Sequence, residues 1–197
     1  MGKIYCLMGK SSSGKDTIFK RLLEREDLKL KRIVPYTTRP IRENETDGVE
    51  YCFCDRATRD RLIAAGKVIE LRSYETVHGI WNYFTVDDGK TDLKKHDYLM
   101  IGTIDTYKSL VKYYEKAEVL PIYIDVEDGI RLERALKREK QQVAPRYEEM
   151  CRRFLADSRD FSKERLKEAG IGARQIFRND SVEEAVEAVA RYIRRSR

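Results

Sequence analysis

Gly9-Lys10-Ser11-Ser12-Ser13-Gly14-Lys15 sets two glycines and a lysine at the G-x-x-x-x-G-K spacing of a phosphate loop. The spacing suits a polyanion: the glycines let the backbone wrap it, successive N–H groups and a helix N-terminus face it, and Lys15 reaches its outer oxygens. A serine-rich turn before an ordinary helix is the alternative, and the flanking apolar strand and amphipathic helix argue against it. The residue after Lys15 is Asp16, where such loops usually carry Ser or Thr for magnesium, and Thr17 follows. Asp16 has three open readings: a hard oxygen ligand for Mg²⁺, a contact to the acceptor, or an acid that favours a helix's first turn.

A second anion site is expected in residues 35–53, PYTTRPIRENETDGVEYCF. Arg39 and Arg42 flank Pro40 in a stretch unsuited to regular helix, and Tyr51 follows the turn at Asp47-Gly48. Arginine forks bind phosphate oxygens in pairs, and a tyrosine hydroxyl adds a donor. Two surface salt bridges are the competing reading of the arginines. A phosphate loop alone leaves hydrolases, motors and kinases open, and this second stretch adds the expectation of a second phosphate group.

Such residues need a scaffold. Lys3–Met8 (KIYCLM) reads as a buried strand that stops at Gly9, and Ile18 and Leu22 recur at helical spacing behind the loop. Apolar runs at 97–103 and 117–126 alternate with helical stretches near 105–116 and 128–141. The expected class is therefore α/β, with a mostly parallel sheet flanked by helices. Residues 35–90 differ, with turn signals at ENETDG and DDG and short strand-like pieces VEYCFC, KVIELRS and NYFTV; a partly antiparallel inserted lobe with one helix near 57–66 is expected. Residues 128–169 read as two charged helices joined by a hinge near 140–146, where Pro145 interrupts. A strand at 173–177 and a helix capped by Ser181, with Glu184 at the capping-box position, close the chain.

Composition limits the alternatives. The 197 residues are 41% hydrophobic and 38% charged with a net charge of +6, enough for one real core and incompatible with a disordered or fibrous chain. Basic residues interleave with acids, and Tyr113, Tyr114 and Tyr123 sit at helix or strand spacing, so a nucleic-acid surface is not expected. No apolar run suits a bilayer or a signal peptide. Cys6, Cys52, Cys54 and Cys151 fit no zinc framework and His78 and His96 are too few for one, so reduced thiols and a cytoplasmic location are expected.

Taken together, Thr37-Thr38-Arg39, Arg42, Asn44-Glu45 and Gly48-Val49-Glu50-Tyr51-Cys52-Phe53 resemble the signature of the guanylate kinase family, and the likeness runs over essentially the whole chain. The resemblance implies a P-loop NTPase-type core over 1–34 and 91–197, an inserted nucleoside-monophosphate-binding lobe over 35–90 and a helical lid over about 138–155. It implies ATP and Mg²⁺ as cofactors and GMP, or dGMP, as acceptor. ATP phosphates would lie on Gly9, Ser11, Ser12, Ser13, Gly14, Lys15, Asp16 and Thr17, with Arg134, Arg138 and Asn179 on the same side. Arg39, Arg42 and Tyr51 would hold the GMP phosphate, and Glu70, His78, Gly79 and Asp105 would line the base site. Arg146 and Arg153 would reach the transferred group alongside Lys15, Arg39 and Arg138.

The chain departs from the family pattern at Pro35, Ile80 and Gly102, where the family carries polar or acidic base contacts; only Asp105, after a register shift, can replace the acid. Gly-Lys-Asp also looks like the ribose 1,5-bisphosphate kinases, so a sugar-phosphate acceptor is an alternative, and a non-catalytic guanylate-kinase-like binding module is another. The expected partners are small-molecule nucleotides, with neither nucleic acid nor membrane.

Overall fold

The computed structural model describes residues 1–43, 45–76 and 79–197, so the expectations placed on Asn44 and His78 fall outside the described residues. The apolar run IYCLM forms strand β1 (Ile4–Met8), buried along its whole length. It lies between β7 (Tyr98–Ile101) and β8 (Val119–Asp125), parallel to both. With β2 (Lys31–Arg32) outside β7 and β9 (Ile176–Arg178) outside β8, the order is β2-β7-β1-β8-β9, all parallel.

Strand alternation sends side chains of β1 to two cores. Ile4, Cys6 and Met8 pack with Tyr107 and Leu110 of α3 (Ile104–Tyr114) and with Phe161 and Leu166. Tyr5 and Leu7 pack with Ile18 and Leu22 of α1 (Lys15–Leu23) and with Val189 and Ile193 of α7 (Val182–Arg195). The Ser181 hydroxyl accepts from the Glu184 N–H at 3.5 Å, at the expected start of α7.

Residues 35–90 contain a second sheet in the order β4-β3-β6-β5, formed by β3 (Tyr36–Thr37), β4 (Cys52–Phe53), β5 (Val68–Thr76) and β6 (Gly79–Val86). β6 runs antiparallel to both β3 and β5, while β3 and β4 are parallel. Helix α2 (Arg56–Ala64) starts where the Asp55 carboxylate accepts the Thr58 N–H at 2.7 Å.

The charged stretch forms α4 (Asp128–Lys140) and α5 (Tyr147–Asp160), joined by the expected break. A third helix, α6 (Lys163–Glu168), was not expected; the Ser162 side chain caps it, and Leu166 is its one buried residue. The last strand begins later than the sequence suggests. Ala173–Gln175 instead forms a 3₁₀ turn, in which the Gly172 N–H donates to Gln175 Oε1 at 3.1 Å and the Gln175 N–H returns to the Gly172 carbonyl at 2.9 Å. Tyr123 is buried, whereas Tyr113 is about half exposed and donates to Asp87. All four cysteines are free thiols. Among the described residues no helix is long and apolar enough to cross a membrane.

Candidate active site

The loop from Gly9 to Gly14 leaves the carboxyl end of β1 and turns into α1, the position from which backbone N–H groups face an anion. Two of its glycines are sterically required. Gly14 sits at φ +80°, and a Cβ there would come 2.5 Å from Asn179 Nδ2; a Cβ on Gly9 would meet Ser13 Oγ at 2.8 Å and the Ile124 carbonyl at 2.9 Å. Asn179 follows β9 directly, and its buried Nδ2–H donates to the Ser13 carbonyl at 2.7 Å, so the closing Asn-Asp segment braces the loop from behind.

Ser12 Oγ, Ser13 Oγ and Asn179 Oδ1 are buried without a hydrogen-bond partner. Orphaned polar atoms of this kind are uncommon inside proteins. The two serine hydroxyls belong to a loop whose backbone is shaped for an anion, and a phosphate fits those two donors. Lys15 Nζ lies 3.8 Å from Asp16 Oδ2, and the Asp16 side chain is 74% exposed. No cluster of three metal-ligating side chains occurs among the described residues. One carboxylate beside a phosphate loop is nevertheless a donor set that suits Mg²⁺, which commonly takes one or two carboxylates together with substrate phosphates and water.

Helices α4 and α5 reach the loop through two residues to which sequence reasoning gave no role. Arg131 is almost fully buried; its Nη1–H donates to the Ser11 carbonyl at 3.0 Å, its Nη2–H to Asp128 at 2.7 Å, and its plane stacks on Phe154 at 4.6 Å. Asp157 accepts the Ser11 N–H at 2.6 Å. Arg131 was visible in the charged run, but spacing alone does not separate a buried arginine from a solvated one. Arg134, Arg138, Arg146 and Arg153 are exposed, and no described hydrogen bond or ion pair joins them to the loop. Arg146 precedes α5 and donates its backbone N–H to Glu139 at 2.5 Å.

In the second sheet Arg39 is buried, and its guanidinium forms a fork with Glu45 at 2.5 and 2.7 Å while also donating to the Pro40 carbonyl at 2.9 Å. The rings of Tyr51 and Phe53 lie 5.1 and 5.2 Å from the guanidinium carbon. The described bonds use three of the group's five N–H donors. Arg42 is exposed, with its backbone N–H on Glu45 at 3.0 Å. Burial pushes the Tyr51 hydroxyl above its ordinary range; Tyr83 and Asp16 add to the rise, and Arg39 and Arg72 oppose it.

Glu70 and Arg72 alternate onto one face of β5, opposite Thr85 and Tyr83 of β6. Glu70 is 8% exposed; it accepts from Thr85 Oγ1 at 2.9 Å and from Arg72 Nε at 3.0 Å. Tyr83 packs edge-on against Tyr51 with centroids 5.6 Å apart, which makes one continuous row from Glu70 through Arg72 and Tyr83 to Tyr51 and Arg39.

Gly79 and Ile80 open β6, Ile80 being 46% exposed, and Pro35 contributes its carbonyl to the Cys52 N–H at 2.9 Å. Gly102 has no room for a side chain, because a Cβ would meet Cys6 Sγ at 2.9 Å. Asp105 begins α3 with its carboxylate 2.7 Å from Arg165 of α6, and the two line a 310 Å³ cleft with Arg72, Ser73, Tyr74 and Thr103.

A family model described as Guanylate kinase matches residues 1–196. The curated guanylate kinase of Mycoplasma mobile is 30% identical over 206 residues, covering 98% of this chain and 93% of that one. That of Mycoplasma pneumoniae is 37% identical over 73 residues, a local match spanning 37% of this chain and only 30% of the relative's length. The crystal structure of guanylate kinase from Anaplasma phagocytophilum superposes with a TM-score of 0.67 at 18% identity, covering 98% of this chain and 85% of that chain; the likeness carries the fold.

Proposed function

The chain belongs to the guanylate kinase family, and from that premise we propose that it transfers the γ-phosphoryl group of ATP to GMP, giving ADP and GDP. The observation that carries this acceptor is Glu70. A buried carboxylate already fixed by Thr85 and Arg72 is suited to accept hydrogen bonds from the N1–H and 2-amino groups of guanine.

The roles follow from position. The loop amides, Lys15 and the serine hydroxyls cradle the ATP phosphates, with Asn179 holding the loop's shape. Arg42, Tyr51 and the free edge of the Arg39 guanidinium hold the α-phosphate of GMP. An oxygen of that phosphate attacks the γ-phosphorus in line; it is already ionised, so no side chain has to remove a proton. Asp16 would hold Mg²⁺, which would supply positive charge beside the transferred phosphate. Residues 35–90 act as the acceptor lobe and 138–155 as the lid, and closure of the lid swings Arg134, Arg138, Arg146 and Arg153 from solvent toward the phosphates while excluding water.

The test is a coupled ADP-release assay with Mg-ATP and GMP, dGMP, AMP, UMP or ribose 1,5-bisphosphate. GMP-dependent turnover is expected, lowered roughly 10²–10³-fold by Lys15→Ala. Turnover with the sugar phosphate and none with GMP would overturn the assignment.

A further inference from the structure

We propose that Arg72 is a specificity-determining residue that reads the 6-oxo group of the purine; this rests on the GMP reading above and deepens it. Guanine presents, in sequence along its pairing edge, an acceptor at O6 and donors at N1 and the 2-amino group. A complementary protein edge must offer a donor followed by two acceptors. Glu70 alone offers only acceptors. The side chain of Arg72 lies on the same face two residues along β5, with its Nε–H 3.0 Å from Glu70 Oε2 and Nη2 at a longer 3.5 Å from Oε1. The pair therefore presents a donor beside two acceptors on one rigid strand.

The hydrogen-bond accounting leaves room for the base. A carboxylate has about four acceptor positions. Thr85 takes one on Oε1 and Arg72 Nε one on Oε2; the third and longest bond, from Arg72 Nη2 to Oε1, would give way to the base, leaving one position on each oxygen for N1–H and the 2-amino group. The fork of Arg72 keeps further N–H groups for O6. The Arg72 side chain is not sealed in: it is 23% exposed, and the residue lines the 310 Å³ cleft with Thr103 and Asp105. Adenine would set its 6-amino donor against the guanidinium and its N1 lone pair against the carboxylate.

The probe is 6-thio-GMP, in which a larger and weaker acceptor replaces O6 while N1–H and the 2-amino group remain. With the unaltered chain kcat/KM is expected to fall about 10-fold from GMP to 6-thio-GMP, the scale of one charge-assisted hydrogen bond. In Arg72→Ala the gap should close to within about 2-fold even though both rates drop, because residue and ligand atom are coupled; Arg72→Lys should restore part of it. Equal kcat/KM for the two nucleotides with the unaltered chain overturns the proposal without any variant. So does an Arg72→Ala protein, folded by its thermal midpoint, that loses activity on both by one factor, since that is the signature of a structural role. If the unaltered chain turns over another acceptor and not GMP, the underlying reading falls and takes this one with it; a GMP kinase with an unchanged thio effect removes this one alone.

Discussion

At Arg39 the group proposed to grip the acceptor phosphate is itself held by a carboxylate. Glu45 holds the guanidinium in a fork, and the hydrogen bonds from Arg39 keep the Glu45 carboxyl below its ordinary range, with the Arg42 N–H adding to the effect. A carboxylate depressed in the folded state stabilises above its unfolded pKa of about 4.3 and loses that contribution as pH falls through the lower folded value. Thermal midpoints followed from pH 7 to pH 3 should therefore fall more steeply for the unaltered chain than for Glu45→Gln; parallel curves would remove Glu45 from the account. Gly14 makes a second test at this scale. Ala there must adopt φ +80° with its Cβ 2.5 Å from Asn179 Nδ2, so Gly14→Ala should lose more than about 1 kcal/mol of stability in denaturant titration and raise KM for ATP. The loop was legible because glycine spacing is written in the sequence. The Arg72–Glu70 pair was not, because nothing in ELR says that a strand face is buried on one side and open to a cleft on the other.

Helices α4 and α5 carry arginines on all sides, and only packing distinguishes them. The sequence reading favoured Arg134 and Arg138 for the ATP side, yet the helix turns Arg131 inward, where it joins the Ser11 carbonyl, Asp128 and the ring of Phe154. Arg131→Met should cost about 2–3 kcal/mol in urea unfolding, since it leaves the Ser11 carbonyl without its buried donor and removes the guanidinium that pairs with Asp128. It should also raise KM for ATP more than KM for GMP; an equal effect on both would mean that the helix does not act through the loop. Strands β1, β7 and β8 were readable as apolar runs bounded by polar residues, whereas α6 is one and a half turns long with a single buried leucine, too short for periodicity to register. The delayed start of β9 is a local matter of the Gly172–Gln175 turn.

For the molecule as a whole, two sheets are built from different parts of the chain. Alternating apolar runs and helices foretold the parallel sheet, and turn signals with short strands foretold the mixed one, because both patterns are local. How the two sheets are placed depends on contacts distant in sequence, such as that of β5 with α3. The account's central claim is that a phosphoryl group crosses between these sites to GMP. The most direct measurement incubates the unaltered chain with ATP labelled at the γ-phosphate, GMP and Mg²⁺, and locates the label by chromatography and ³¹P NMR. The account predicts the label in the β-phosphate of GDP, in equal amount to the ADP formed. ADP formed with the label in inorganic phosphate alone, or in a product lacking guanine when other acceptors are added, would contradict it.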